Sequence, residues 1–257
     1  MPSPWSFTFE PLYLALAVAV AALYARAARR DPPGRRRAWL FGLGAFAVAA
    51  PLNSPLETIA THYLLLFHLL QNVMIGDWAP LLLVLGMTPA MRAAVDRAGG
   101  RAWALLTRGR VALPVWLAGW YVVHLSFFYD WALRHPLALN LEHAIMIAIG
   151  LVFWWPVFGR QPAGLPTLKA IVYLFAAFVG SGFLGLAFTF SASTFYTFYA
   201  HVPVRLWGIG PAADQNLGGV LMSVEQLVVL SAALVYFLAR LIGEDADRQE
   251  RALVADE

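Results

Sequence analysis

LKAIVYLFAAFVGSGFLGLAFTF, residues 168–190, holds one charged side chain, Lys169, near its start and none in the twenty-one residues that follow. A helix of about 20 apolar residues crosses the ~30 Å hydrocarbon core of a bilayer, so this stretch predicts a transmembrane span. Working outward, stretches of the same kind predict further spans near 11–28, 37–52, 61–86, 111–129, 139–158 and 217–242, seven in all. The second is short, opening behind Arg35-Arg36-Arg37 and ending near Pro51. Composition agrees: 60% of the 257 residues are hydrophobic and 13% charged, which does not cover a water-soluble surface. The expected fold class is an all-α integral membrane protein, a bundle of about seven transmembrane helices over residues 1–243. A charged cytoplasmic tail over 244–257, expected to be mobile, follows it. Segment 89–108 reads as a short amphipathic cytoplasmic helix. No basic residues precede the first apolar run, so it reads as a retained span and not a cleaved leader.

Orientation follows from the basic residues. Sixteen of the eighteen Lys and Arg fall between spans 1 and 2, 3 and 4, 5 and 6, or in the tail, and only Arg134 and Arg205 fall on the other side. Under the positive-inside rule the N-terminus and the loops at 53–60, 130–138 and 191–216 face outward and the C-terminus is cytoplasmic. Phe195, Tyr196, Phe198, Tyr199 and Trp207 crowd the long outer loop, and amphipathic rings of this kind place it on the membrane surface. In span 6, Gly180, Ser181, Gly182 and Gly185 form a small-residue stripe suited to close helix packing.

Charge and cysteine usage narrow the function classes. The net charge of +3 is gathered in clusters between apolar runs, a topology signal that forms no basic face for nucleic acid. The chain has no cysteine, which excludes disulfides, thiolate zinc sites, iron–sulfur clusters, covalent c-type haem attachment and thiol-based copper transfer. Any metal must sit on imidazole, thioether, carboxylate or amide groups.

All six histidines fall toward the outer side: His62 and His68 in span 3, His124 in span 4, His143 in span 5, and His135 and His201 in outer loops. Intramembrane histidine needs partners that lipid cannot supply and so points to function. At 3.6 residues per turn, His68, Gln71 and Asn72 share one helix face. Glu142 adjoins His143, Met146 follows by three residues, and Met222, Glu225 and Gln226 lie together on span 7 with Asp214-Gln215 just before it. Imidazole, thioether and carboxylate groups without thiols suit copper best, with other imidazole-binding metals or haem iron as alternatives. The competing reading of each histidine is a hydrogen-bonded packing residue between helices. Asp77 either faces the bundle interior or bonds backbone groups freed by Pro80.

These residues also carry a family likeness. His68-Leu-Leu-Gln71-Asn72 through Ala79-Pro80-Leu-Leu-Leu-Val-Leu-Gly86 resembles the signature segment of the CtaG family of cytochrome c oxidase assembly factors. The resemblance continues at Glu142-His143, at Phe153-Trp154-Trp155-Pro156, and from Tyr199-Ala-His201-Val-Pro203 through Asp214-Gln215-Asn216-Leu-Gly218-Gly219, covering roughly residues 38–240. It implies a multi-pass protein of the bacterial plasma membrane that helps build haem–copper oxidase and handles copper at the outer face, with an oxidase subunit as partner. One position departs: where the family typically has a second histidine four residues after the first, this chain has Asn72. An amide oxygen is a poorer ligand than imidazole for such a metal, so the site is built differently or His62 compensates.

The expected function is a non-enzymatic assembly factor that holds copper, or shapes a nascent oxidase subunit to receive it. His68, His143 and His201 are expected to converge on one outward-facing site, with Asn72, Glu142, Asp214 and Met222 supporting it. Asp214 and Gln215 are expected to cap span 7 or to orient a site residue. The alternatives are a haem-binding electron-transfer protein, using His68 with His143 or His124, and a transporter or channel whose path is lined by Asp77 and Glu225. A retinal protein is disfavoured because the only lysine, Lys169, lies at the cytoplasmic end of span 6.

Overall fold

Lipid offers a backbone no hydrogen-bonding partner, so a chain this apolar satisfies its N–H and C=O groups within helices. The computed structural model describes residues 1–160 and 164–255, and no strand occurs among them. The helices are α1 (Pro11–Ala28), α2 (Arg35–Leu52), α3 (Pro55–His62), α4 (Leu65–Val73), α5 (Ala79–Gly86), α6 (Pro89–Leu106), α7 (Gly109–Val123), α8 (Ser126–Arg134), α9 (Pro136–Trp154), α10 (Thr167–Phe190), α11 (Thr197–Ala200) and α12 (Pro211–Ala255). A π-helical turn over Met74–Trp78 joins α4 to α5, and another over Trp155–Gly159 extends α9. Five elements are long and apolar enough to cross a membrane, and the bent pairs α2/α3 (49°) and α7/α8 (65°) raise the number to seven if each is one broken span. The chain is a multi-pass membrane protein.

Helix boundaries follow local chemistry where caps exist. Ser54 accepts the Leu56 N–H at 3.3 Å and Pro55 presets the first turn, so α3 starts there. Thr88 caps α6 in the same way through the Met91 N–H. The expected third span, 61–86, is not one helix: α3 ends at His62, Leu64 is extended, and α4 begins at Leu65. The expected fourth span, 111–129, breaks at Leu125, which is also extended. There the His124 carbonyl accepts the Tyr196 hydroxyl at 2.9 Å. α12 runs unbroken from Pro211 through Ala255, so the tail expected to be mobile continues the last span as helix; residues 256 and 257 of that tail lie outside the described residues.

The aromatic segment 191–210, expected to lie on the membrane, sends two of its rings into the bundle. Tyr196 and Tyr199 are buried while Trp207 stays exposed. The reason is polar: each buried hydroxyl reaches a carbonyl that a helix break leaves free, Tyr196 that of His124 and Tyr199 that of Ala60 at 2.5 Å.

Two glycines set the register that matters for the site. A Cβ on Gly150 of α9 would overlap the Gly76 carbonyl of the first π turn, so the backbones cross in contact. His68 and Glu142 each lie eight residues before these glycines, about 12 Å back along parallel helices, which brings them level. In the small-residue stripe of α10, Gly185 packs against Ser223 of α12, whereas Gly182 touches nothing.

Candidate functional site

Where α4 and α9 run level, buried polar side chains gather. His68 is wholly buried, and its Nδ1 lies 3.0 Å from the Tyr199 hydroxyl. That hydroxyl donates its only proton to the Ala60 carbonyl, so its oxygen must accept from His68 Nδ1–H. Nδ1 thus carries a proton, and Nε2 faces Glu142 Oε1 at 3.4 Å; in the neutral ring that nitrogen is a lone pair turned toward a carboxylate. Asn72 donates to that same oxygen at 2.9 Å, which orients the carboxylate.

Around this pair lie further buried atoms without a partner: Glu142 Oε2, Asn72 Oδ1, both nitrogens of His143, and His124 Nε2. The His68 and His143 ring centroids are 6.0 Å apart in an edge-to-face arrangement. Tyr129, its hydroxyl also unpartnered, lies 4.7 Å from the His68 ring and 5.8 Å from that of His124. A buried polar group left unmatched costs about 1–3 kcal/mol, so several in one place mark a site built to meet something else. Apart from Tyr129 and His143, these free atoms present lone pairs and no protons. The donor set of imidazole and carboxylate suits a divalent or cuprous ion chemically, although no three of the described His, Asp and Glu groups already stand at metal-holding distance.

A family model described as cytochrome c oxidase caa3 assembly factor (Caa3_CtaG) matches residues 12–244. The chain belongs to the caa3 oxidase assembly-factor family. It is 28% identical over 267 residues to uncharacterized proteins of Mycobacterium bovis (Mb0105) and Mycobacterium tuberculosis (MT0111). The match covers 94% of this chain and 40% of each relative, so the chain spans under half the length of these curated relatives. No solved structure matches.

In this chain the residues singled out from sequence divide into three groups. His68, Asn72, Glu142 and His143 come together as described. Asp214 stands behind them: its two oxygens accept the N–H groups of Leu65 and Leu66 at 2.8 and 2.9 Å, so it caps α4, the helix of His68. The expected cap on its own helix is not made, because Asp214 already lies inside α12 with its N–H bonded to the Gly210 carbonyl. Chain entering α4 in extended form leaves that helix with free N–H groups to fill. Gln215 instead holds the loop, accepting from Phe195 N at 2.6 Å and donating to the Ser193 carbonyl at 2.9 Å. His201 and Met222 stand apart. His201 is exposed, with Nδ1 on the Thr197 carbonyl, and lines a separate cavity of about 390 Å³ with His62 and Arg134. Met222 is buried in the apolar core, and Met146 packs on Gly76.

Sequence reasoning passed over Glu57 and the tyrosines. Glu57 is buried, and Gln71 hydrogen-bonds both to its carboxylate and to the Pro51 carbonyl. Its sequence signal, Ser54-Pro-x-Glu57, is also a helix-capping pattern, which hides the inward role.

A second polar network lies further along the bundle. Gln226 donates to Asp77 Oδ2 at 2.5 Å and to Glu225 Oε2 at 2.9 Å, while Trp154 and Trp78 donate to the remaining oxygens at 3.2 and 2.8 Å. Asp77 faces the bundle interior and bonds side chains. All four carboxylate oxygens are matched, in contrast to the histidine cluster.

Proposed function

We propose that this protein is a non-catalytic assembly factor of the bacterial plasma membrane that holds copper as cargo in the buried cluster at His68, His143 and Glu142. It presents the ion to a nascent subunit of haem–copper oxidase on the outer face. Sixteen of eighteen basic residues on the opposite side support an outside N-terminus and a cytoplasmic C-terminus. The observation that carries the copper reading is the buried facing pair His68 Nε2 and Glu142 Oε1, 3.4 Å apart, with Nδ1 of the histidine held from behind by Tyr199. Such a pair repels unless a cation or proton stands between or beside them, and a ligating histidine held at its other nitrogen by an oxygen is the usual metal arrangement. Copper suits it better than haem, because Asn72 and Glu142 fill the space between helices that a porphyrin would need. The matched Asp77 and Glu225 oxygens favour a structural network over a conduction path.

The test is metal analysis of the full chain purified without chelator, alongside oxidase copper content in cells. We expect one copper per chain, lost in His68→Ala with His143→Ala, and an oxidase poor in copper when either variant replaces the native protein. Stoichiometric binding that survives both substitutions overturns the reading.

A further inference from the structure

We propose that the groove between α4–α5 and α12 receives a transmembrane helix of the client subunit, one that carries a cationic side chain to meet Glu225. This deepens the function just proposed and rests on it for the identity of the client. The groove, about 540 Å³, is walled by Leu70, Val73 and Trp78 on one side and by Leu221 and Val228 on the other, with Glu225 as its one ionisable group. Val228 is exposed within an apolar span, so the groove opens sideways to lipid. Glu225 lies fourteen residues after Pro211, about 21 Å along α12 at ~1.5 Å per residue, which sets it deep in the ~30 Å hydrocarbon layer.

Hydrogen bonds match the oxygens here, but nothing matches the charge. Trp78, Trp154 and Gln226 donate to Glu225 and Asp77, and all three donors are neutral. Neither carboxyl group enters an ion pair among the described residues, and the charged group in electrostatic reach of Glu225 is Asp77. Asp77 is wholly buried, whereas Glu225 keeps 8% exposure and lines the groove. A carboxylate at this depth is costly without a cation, and a charge brought along the groove supplies one. An apolar helix with a Lys, Arg or His at that depth fits both features: its aliphatic face fills the groove and its cation meets Glu225. A lipid tail fills the same walls and leaves the carboxylate unmatched. At 3.6 residues per turn Leu70 lies on the face of α4 opposite His68, so the client helix docks one helix away from the histidine cluster.

The test places a photo-crosslinking residue in the full chain at Val228, in cells that assemble the oxidase. The control position is Phe183, similarly exposed on α10 and outside the groove. We expect irradiation to join Val228 to a transmembrane segment of an oxidase subunit that contains a basic residue, and Phe183 to lipid alone. Glu225→Gln keeps an acceptor for the Trp78 N–H and removes the charge, so it should lower the captured yield more than about tenfold, as when a buried charge pair loses one partner. Retained helical circular dichroism checks the fold of that variant, and the sequence of the segment captured by the native groove is a test that does not depend on it. Equal capture from both positions, lipid alone at Val228, or a captured segment without Lys, Arg or His overturns this inference; copper bound by the native chain then leaves the proposed function standing. Capture of the subunit by a chain that binds no copper overturns the copper reading and leaves the groove assignment in place.

Discussion

Asp214 of α12 accepts the backbone N–H of Leu65 at 2.8 Å and so ties the last span to the first turn of the helix that carries His68. Capping a helix from another helix makes the position of an imidazole depend on a carboxylate nearly 150 residues later in the chain. Asp214→Ala removes acceptors from two buried or half-buried N–H groups and should cost about 1–2 kcal/mol. Asp214→Asn keeps one acceptor oxygen and should cost less. Thermal unfolding in detergent measures both, and equal midpoints for all three proteins would dismiss the cap.

Gly150→Ala drives a Cβ into the Gly76 carbonyl, a backbone atom that cannot swing aside. Overpacking of this kind costs about 1–3 kcal/mol and should shift α4 against α9, taking His68 out of level with Glu142. Gly182→Ala, where a Cβ meets nothing within 4 Å, is the control and should be neutral. Stability and copper retention are expected to fall together in the first variant and in neither respect in the second.

Tyr199→Phe leaves the Ala60 carbonyl and His68 Nδ1–H without their partner. A stability loss of about 1–3 kcal/mol is expected, with copper affinity down about tenfold to a hundredfold because the His68 tautomer is no longer held. Tyr173→Phe, which loses only a bond to the Phe153 carbonyl, should lower stability and spare affinity. Titration of the two variants with a cuprous chelator competitor distinguishes them.

Acid should strip the site. Neutral imidazole binds metal and imidazolium does not, so copper retention by the native chain is expected to fall as the medium is acidified. Retention that stays flat on acidification, in protein that keeps its helical circular dichroism, would rule out imidazole ligands.

Topology can be read in cells. A reporter that is active only in the periplasm, fused behind α12, should be silent, and the same reporter inserted between α8 and α9 should be active. The reverse pattern would turn the histidine cluster toward the cytoplasm.

Hydropathy and arginine placement made the spans legible, because a stretch such as 168–190 has no other stable home than a bilayer. The breaks at Leu64 and Leu125 were not legible, since both residues are apolar and helix-tolerant, and it is remote tyrosine hydroxyls that take up nearby carbonyls there. Half of the cluster was visible as the polar face His68-Gln71-Asn72 and the pair Glu142-His143. The rest depended on contacts across the bundle: Tyr199 reads as an interfacial ring, Glu57 as a cap and Asp214 as the start of its own helix. A one-dimensional pattern reports which face a residue occupies, and not which neighbour that face meets.

α12 is a single helix from Pro211 through Ala255, about 68 Å long at 1.5 Å per residue, more than twice the thickness of the ~30 Å hydrocarbon layer. It is a stiff strut, latched to α4 by Asp214 near one end, to the π turn by Gln226 about a third of the way along, and to α10 by Glu244, which accepts the Thr167 hydroxyl at 2.7 Å, nearer the other end. Ion pairs of Arg240 with Glu244 and Arg248 with Asp245 lie on either side of the last of these latches. A rod fastened in this way holds three neighbours in one axial register, so the turn that positions His68 is set against the same helix that carries Arg240 and Arg248 toward its other end.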